Sequence, residues 1–239
     1  MLLKACLNGG RLPGSHPALP LTPNEIAHDA QRTVEAGAGA LHIHPRNSDG
    51  RETLEADMIG AALQAVRAAC SGTPVGVSTA AWIEPDAAHR LALVRQWEVR
   101  PDFAGVNFSE TGAAELCEAL LAMGIGVEAG LWIVDDVHQF LASGIAHRCL
   151  RVLIEPIRTP VIAKAVATAQ AIERLLEDAG ISAPCLLHGK DITAWPLLEY
   201  AIARGYDARI GLEDTLLLPN GQPARDNADL VRTAYERCR

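Results

Sequence analysis

Short apolar runs recur along the chain, each closed by glycine, proline or a polar cluster, and each followed by a stretch whose apolar positions return every three or four residues. The runs read as buried strands and the stretches between them as helices. Strands are predicted at Leu3–Asn8, Gly39–His44, Pro74–Thr79, Phe103–Phe108, Ile125–Leu131, Cys149–Glu155, Cys185–His188 and Ala208–Glu213. Helices are predicted at Thr22–Gly37, Leu54–Cys70, Asp86–Trp97, from near Gly112, and at Val134–Ser143, Val161–Ala179, Trp195–Arg204 and Asp226–Glu236. The first helix is announced by Thr22-Pro23-Asn24-Glu25, with threonine as N-cap, proline in the first helical position and Glu25 closing a capping box. Eight strands alternating with helices, none joined by a hairpin turn, predict a (β/α)₈ TIM barrel spanning residues 1–239 as a single domain. A doubly wound sheet is the alternative, but it normally has fewer repeats. No linker, low-complexity segment or charge run marks a second domain.

Composition agrees with this reading. Apolar residues make up 49% of the chain and aromatic residues 4%, which describes an aliphatic core large enough for one α/β domain. The net charge of −8 argues against a nucleic-acid or anionic-membrane surface, so any anionic ligand must be met by local positive charge. Six cysteines are scattered without CxxC pairs, as in a reduced cytosolic protein. The N-terminus runs straight into a strand, and no apolar stretch approaches the roughly 18 residues of a membrane span. A cytoplasmic, soluble protein is expected.

Polar side chains gather where the predicted strands end: Asn8, His42, His44, Ser78, Thr79, Asn107, Glu128, Glu155, His188, Arg209, Glu213 and Asp214. In TIM barrels this is the catalytic end. His42 and His44 lie two apart on one strand, so they share a face about 7 Å apart. Closure of the barrel brings the eighth strand beside the first and one removed from the second, which makes Glu213 a candidate third ligand. Two imidazoles and a carboxylate suit zinc best by ligand type, with iron, manganese or cobalt also fitting. The competing reading of HxH alone is two ordinary histidines; placement of both on the inward face at the catalytic end favours the metal. Arg209 and Glu213, at i and i+4 of one strand, share a face with Gly211 leaving room between them. Arg209 either grips a substrate carboxylate bidentately or forms a structural ion pair with Glu213 or Glu128.

Asp214 is the candidate general base, against a capping or supporting role. Glu128 and Glu155 are weaker candidates, because barrel interiors also hold structural carboxylates. Ser78, Thr79 and Asn107 could bond a substrate carboxylate or satisfy backbone groups. His188 is in the right layer, but a lone histidine is more often structural. His16, His28, His89, His138 and His147 fall in loops or helices and receive no role. Serine hydrolysis and nucleotide chemistry find no GxSxG, P-loop or GxGxxG to support them.

Taken together, Asn8-Gly9-Gly10, His16 through Pro23, His42-Ile43-His44-Pro45-Arg46, Ser78-Thr79 and Arg209-Ile210-Gly211-Leu212-Glu213-Asp214 resemble the beta-keto acid cleavage enzymes, the family of 3-keto-5-aminohexanoate cleavage enzyme. The resemblance runs along nearly the whole chain. It implies a zinc TIM barrel that condenses a beta-keto acid with acetyl-CoA and yields acetoacetate and a new acyl-CoA. It implies zinc on His42, His44 and Glu213, a substrate-orienting Arg209 and a catalytic Asp214. Ser78, Asn107 (where the family usually has threonine) and Glu128 match substrate-side positions, and homo-oligomers are usual.

Two departures stand out. Arg11 occupies the place of a glutamate that meets an ammonium group in the prototype. An arginine there would repel an amine and attract a second carboxylate, so the expected substrate is anionic or neutral at its far end. The chain is also shorter than typical members. The competing enzyme reading is an amidohydrolase-type metal hydrolase, which would carry HxH on the first strand and histidines on strands five and six. The non-enzyme reading is a metabolite-binding barrel without turnover.

Overall fold

The computed structural model describes residues 1–238. Eight strands, β1 Leu3–Cys6, β2 Ala40–Ile43, β3 Val75–Ser78, β4 Phe103–Asn107, β5 Gly126–Leu131, β6 Arg151–Ile154, β7 Cys185–Leu187 and β8 Asp207–Ile210, close into one barrel in chain order. Every pairing is parallel, including β1 with β8. The helices that cross between strands are α1 Pro23–Glu35, α2 Ala56–Ala69, α3 Ala87–Val94, α4 Ala113–Ala122, α5 Val134–Ala142, α6 Ile162–Asp178, α7 Ala194–Arg204 and α8 Asn227–Arg237. The expected (β/α)₈ barrel is therefore the fold. The capping box before α1 forms as predicted: the Thr22 hydroxyl accepts from Glu25 N, and the Glu25 carboxylate accepts from Thr22 N. No helix among the described residues is long and apolar enough to cross a membrane.

Strand alternation sorts the barrel into two compartments. Outward residues such as Leu41, Ile43, Val75, Val77, Val127 and Ile154 join the apolar core with helix residues such as Ile26, Ile59 and Leu63. Inward residues are largely polar. Deep in the barrel Lys4 Nζ reaches Glu128 Oε2 at 2.5 Å and lies 5.4 Å from the Phe103 ring centroid. Gly76 makes room for that ring: a Cβ there would fall 2.0 Å from it.

The predicted strands overrun the observed ones at the mouth. β2 ends at Ile43, one residue before His44, and β8 ends at Ile210, three before Glu213. Beyond Ile210 the chain turns back on itself, with Asp214 N and Thr215 N both donating to Gly211 O. A Cβ on Gly211 would lie 2.0 Å from Cys6 O, so only glycine lets this turn pass so close over the end of β1.

That turn is held from behind. Asn227, at the start of α8, accepts from Leu212 N at 2.6 Å and donates to Leu7 O at 2.8 Å and to Asp29 Oδ2 at 2.6 Å. Burial pushes the Asp29 carboxyl up to about 7, although the bond from Asn227 opposes the shift. An unfolded aspartate titrates near 3.9. The folded state therefore holds a proton that the unfolded state gives up, and stability falls as pH rises from about 4 to about 7. Asp29→Asn should remove that slope. Thermal melts at pH 5 and pH 8 should show the variant gaining on the parent by on the order of 2 kcal/mol at the higher pH.

Candidate active site

A cavity of about 340 Å³ opens at the C-terminal end of the barrel, within the range of ~300–1,000 Å³ usual for small-molecule sites. His42, His44 and Glu213 converge in it and offer one ligand atom each, all within 4.8 Å of one another. His42 Nε2 lies 3.0 Å from His44 Nε2, and Glu213 Oε2 lies 3.6 Å from the latter. Glu213 Oε2 is buried with no hydrogen-bond partner among the described residues. Two imidazole nitrogens facing each other beside an orphaned carboxylate oxygen form a donor set that fits a divalent cation. Burial pushes the His42 imidazole well below its usual range, which keeps it neutral and free to donate its lone pair. Burial would raise the Glu213 carboxyl, but Arg209 and the two histidines hold it well below the usual carboxylate range.

Two of the three candidate ligands, His44 and Glu213, are placed by their surroundings. The Asn8 side chain accepts from His44 N and donates to His44 O, both at 2.9 Å, and also donates to Pro20 O. It thus clamps the exit of β2 to that of β1. Gly9, at φ +49°, leaves the space that Glu213 fills, since a Cβ there would lie 2.2 Å from Glu213 Cγ. His44 Nδ1 is bonded to a Glu52 carboxylate oxygen that also accepts from Trp82 Nε1 at 3.3 Å. Trp82 stacks on His44, ring planes 10° apart. Glu52 is delivered by a short antiparallel bridge to Arg46, whose guanidinium is spent on the carbonyls of Gly9, Arg11 and Gly50.

A second cluster sits beside the ligands. Arg209 donates through Nε and Nη2 to Asp214 Oδ1 at 3.1 and 2.7 Å, and through Nη2 to Glu213 Oε1 at 2.6 Å. Of the two readings of Arg209, the ion pair with Glu213 is formed, and Arg209 also lines the cavity. Contact arises because the turn after β8 folds Glu213 and Asp214 back over the arginine, not because Arg209 and Glu213 share a strand, as expected. Asp214 Oδ2 is buried and has no partner among the described residues. His188 lies between two carboxylates, Nδ1 3.4 Å from Asp214 Oδ1 and Nε2 3.3 Å from Glu155 Oε1. Burial and Arg209 oppose its protonation, but the two carboxylates prevail and its affinity for a proton is raised. Trp132 Nε1 donates to Glu155 Oε2 at 2.9 Å, and Trp132 stacks with Trp82 across the mouth.

Ser78 and Asn107 line the cavity, with one Asn107 amide hydrogen given to Glu110 Oε1 at 2.8 Å. Thr79 turns its hydroxyl to Gly105 O and serves the backbone. Two expected substrate contacts lie elsewhere. Glu128 is fully buried below the cavity, held by Lys4 and 3.4 Å from Arg151 Nε. It faces inward like the site residues but lies deeper, opposite the first residue of β6. Glu128→Gln should therefore cost about 3–5 kcal/mol in urea unfolding by stranding Lys4; a rise in KM without loss of stability would restore it as a substrate contact. Arg11 does not line the cavity either. Its Nη2 pairs with Asp191 Oδ1 at 2.5 Å and its Nε donates to Leu212 O.

The lining residues with no role from sequence include Trp82, Trp132 and Lys190, and Glu52 sits just behind His44. The loop tryptophans, Lys190 and Glu52 belong to no periodic pattern. Glu155 and His188 are underweighted, although their position at strand ends is itself the signal.

Residues 1–239 match the family described as beta-keto acid cleavage enzyme. The 3-keto-5-aminohexanoate cleavage enzyme of Fusobacterium nucleatum is 22% identical over 250 residues, covering 97% of this chain and 88% of that protein. The 3-oxoadipate:acetyl-CoA acetyltransferase of Cupriavidus necator is 36% identical over 64 residues, 27% of this chain and 22% of that one. Among solved structures, the ternary complex of ObcA with a C4-CoA adduct and oxalate superposes with a TM-score of 0.71 at 17% identity. That match covers 92% of this chain but only 64% of the ObcA chain, and at such identity it speaks for the fold alone. Matched along its whole length, the chain belongs to the beta-keto acid cleavage enzymes.

Proposed function

We propose that this enzyme condenses a beta-keto acid with acetyl-CoA and releases acetoacetate and a new acyl-CoA, with zinc held by His42, His44 and Glu213. The observation that carries the reading is the convergence of that ligand group with the Arg209–Asp214 pair in one cavity. A zinc ion, when bound, supplies a Lewis acid for the keto oxygen; iron, manganese or cobalt would suit the same donors. Arg209 provides positive charge for the substrate carboxylate. It also pins one oxygen of Asp214, leaving the buried Oδ2, which has no hydrogen-bond partner among the described residues, to take a proton. Ser78 and Asn107 offer a hydroxyl and an amide to the bound acid. Trp82 and Trp132 shield the mouth from water.

A relative named for acetyl-CoA and a fold neighbour captured with a CoA adduct support coenzyme A as co-substrate. The reading includes a homo-oligomer in the cytoplasm, in keeping with cysteines that are all unbridged among the described residues. Metal analysis of the purified protein, followed by an acetoacetate assay with acetyl-CoA and a panel of beta-keto acids, tests the proposal. One metal per chain and CoA-dependent acetoacetate are expected. Bound metal without CoA-dependent turnover would refute it.

A further inference from the structure

The turn between β7 and α7 is built more tightly than a connection requires. A Cβ on Gly189 would fall 2.4 Å from Thr193 O. Lys190 N donates to Thr193 Oγ1, and that hydroxyl donates to Lys190 O, both at 2.9 Å. Asp191 follows at φ +51°, the one non-glycine residue with positive φ among the described residues. Such backbone persists where its surroundings enforce it, and it concentrates at functional sites. Here the enforcement is visible. Asp191 N donates to Asp214 O at 2.6 Å, and the Asp191 carboxylate is held by Arg11, itself tied to Leu212 O.

What this clamped turn presents to the cavity is Lys190. It lines the mouth, its side chain is exposed, and it has no ion pair among the described residues. The other obligate cation of the lining, Arg209, is already engaged by Glu213 and Asp214. An ammonium without an ion pair among the described residues, carried by a rigid turn at the rim of the cavity, is placed to meet an anion that arrives with the ligand.

We propose that Lys190 binds a second carboxylate at the far end of the substrate, so that the preferred beta-keto acids are dicarboxylates, and that Arg11 acts on this choice indirectly, as a positioning residue through Asp191. The proposal rests on the reading of the cavity as a beta-keto acid cleavage site. A terminal amine would be repelled by the same ammonium, and a terminal methyl would gain nothing from it. The phosphates of coenzyme A share the chemistry of a carboxylate here, and the test separates the two.

The metal-loaded enzyme and its Lys190→Met, Lys190→Arg and Arg11→Met variants are assayed with two six-carbon beta-keto acids, one ending in a carboxylate and the other in a methyl group. The parent should favour the dicarboxylate. Lys190→Met should lower the kcat/KM ratio of dicarboxylate to monocarboxylate by about 10–100-fold, the range a charge-assisted hydrogen bond supports. The change should lie in KM, Lys190→Arg should restore most of the ratio, and Arg11→Met should shift it in the same direction by less. Equal losses on both acids would overturn the proposal. So would an effect confined to the KM of acetyl-CoA, which would assign Lys190 to the phosphates. If the parent turns over neither acid, calorimetric binding of the dicarboxylate still decides the point. Binding lost in Lys190→Met upholds the anion site, and equal binding refutes it.

Discussion

Asp214→Asn should lower kcat by about 10²–10⁴-fold, the usual contribution of a positioned general base. Asparagine preserves the shape of the side chain and keeps a carbonyl oxygen for the Arg209 Nε and Nη2 donors that now hold Oδ1. What it removes is the basic oxygen, Oδ2, which is buried and without a hydrogen-bond partner among the described residues. His42, His44 and Glu213 are untouched, so metal content should stay at the parent's level. Because the lost interaction belongs to the reacting state, kcat and kcat/KM should fall together. A loss of less than about tenfold would move the proton transfer elsewhere. His188, 3.4 Å from Asp214, and Glu155 behind it would then be the groups in reach.

The strands were legible because each is a short apolar run between glycine, proline or polar punctuation, and a parallel barrel buries such runs under helices. The two histidines were legible for a related reason, since alternation fixes which residues face inward; barrel closure, which fixes the strands that adjoin, pointed to Glu213, although a turn past the end of β8 and not strand alternation brings it in. Depth along the strand was harder to read. Glu128 and Glu155 both face inward, yet Glu128 sits low enough to meet Lys4 while Glu155 reaches the cavity. A lysine in the middle of β1 was the available warning, because a buried ammonium demands a carboxylate.

Loops gave the least. Arg11 carries the right charge for the expected role, but the chain spends it on Asp191, and the lining cation without an ion pair among the described residues is Lys190, on another loop. Which of two surface cations reaches a cavity depends on turn geometry, here a left-handed aspartate and a glycine packed against Thr193, and no periodicity records that.

Loss of a metal ligand is the other large effect expected. His44→Ala should empty the site and reduce turnover by at least about 10²–10³-fold, since a Lewis acid supplies several kcal/mol at the developing charge. The structure adds a graded control. His44 Nδ1 is bonded to Glu52, which fixes the ring so that Nε2 turns toward His42 Nε2 and Glu213. Removing such an orienting carboxylate usually weakens metal binding by about 10–100-fold while leaving the ligands in place. Glu52→Ala should therefore bind metal more weakly in competition with a chromophoric chelator, yet regain turnover when metal is supplied in excess. Glu52→Gln, which keeps an acceptor oxygen but no charge, should fall between the parent and Glu52→Ala. His44→Ala should not be rescued by added metal. If His44→Ala retained one tightly bound metal per chain, the site would lie elsewhere. If both Glu52 variants bound metal as the parent does, the carboxylate would be serving only the Trp82 indole and the Arg46 hairpin.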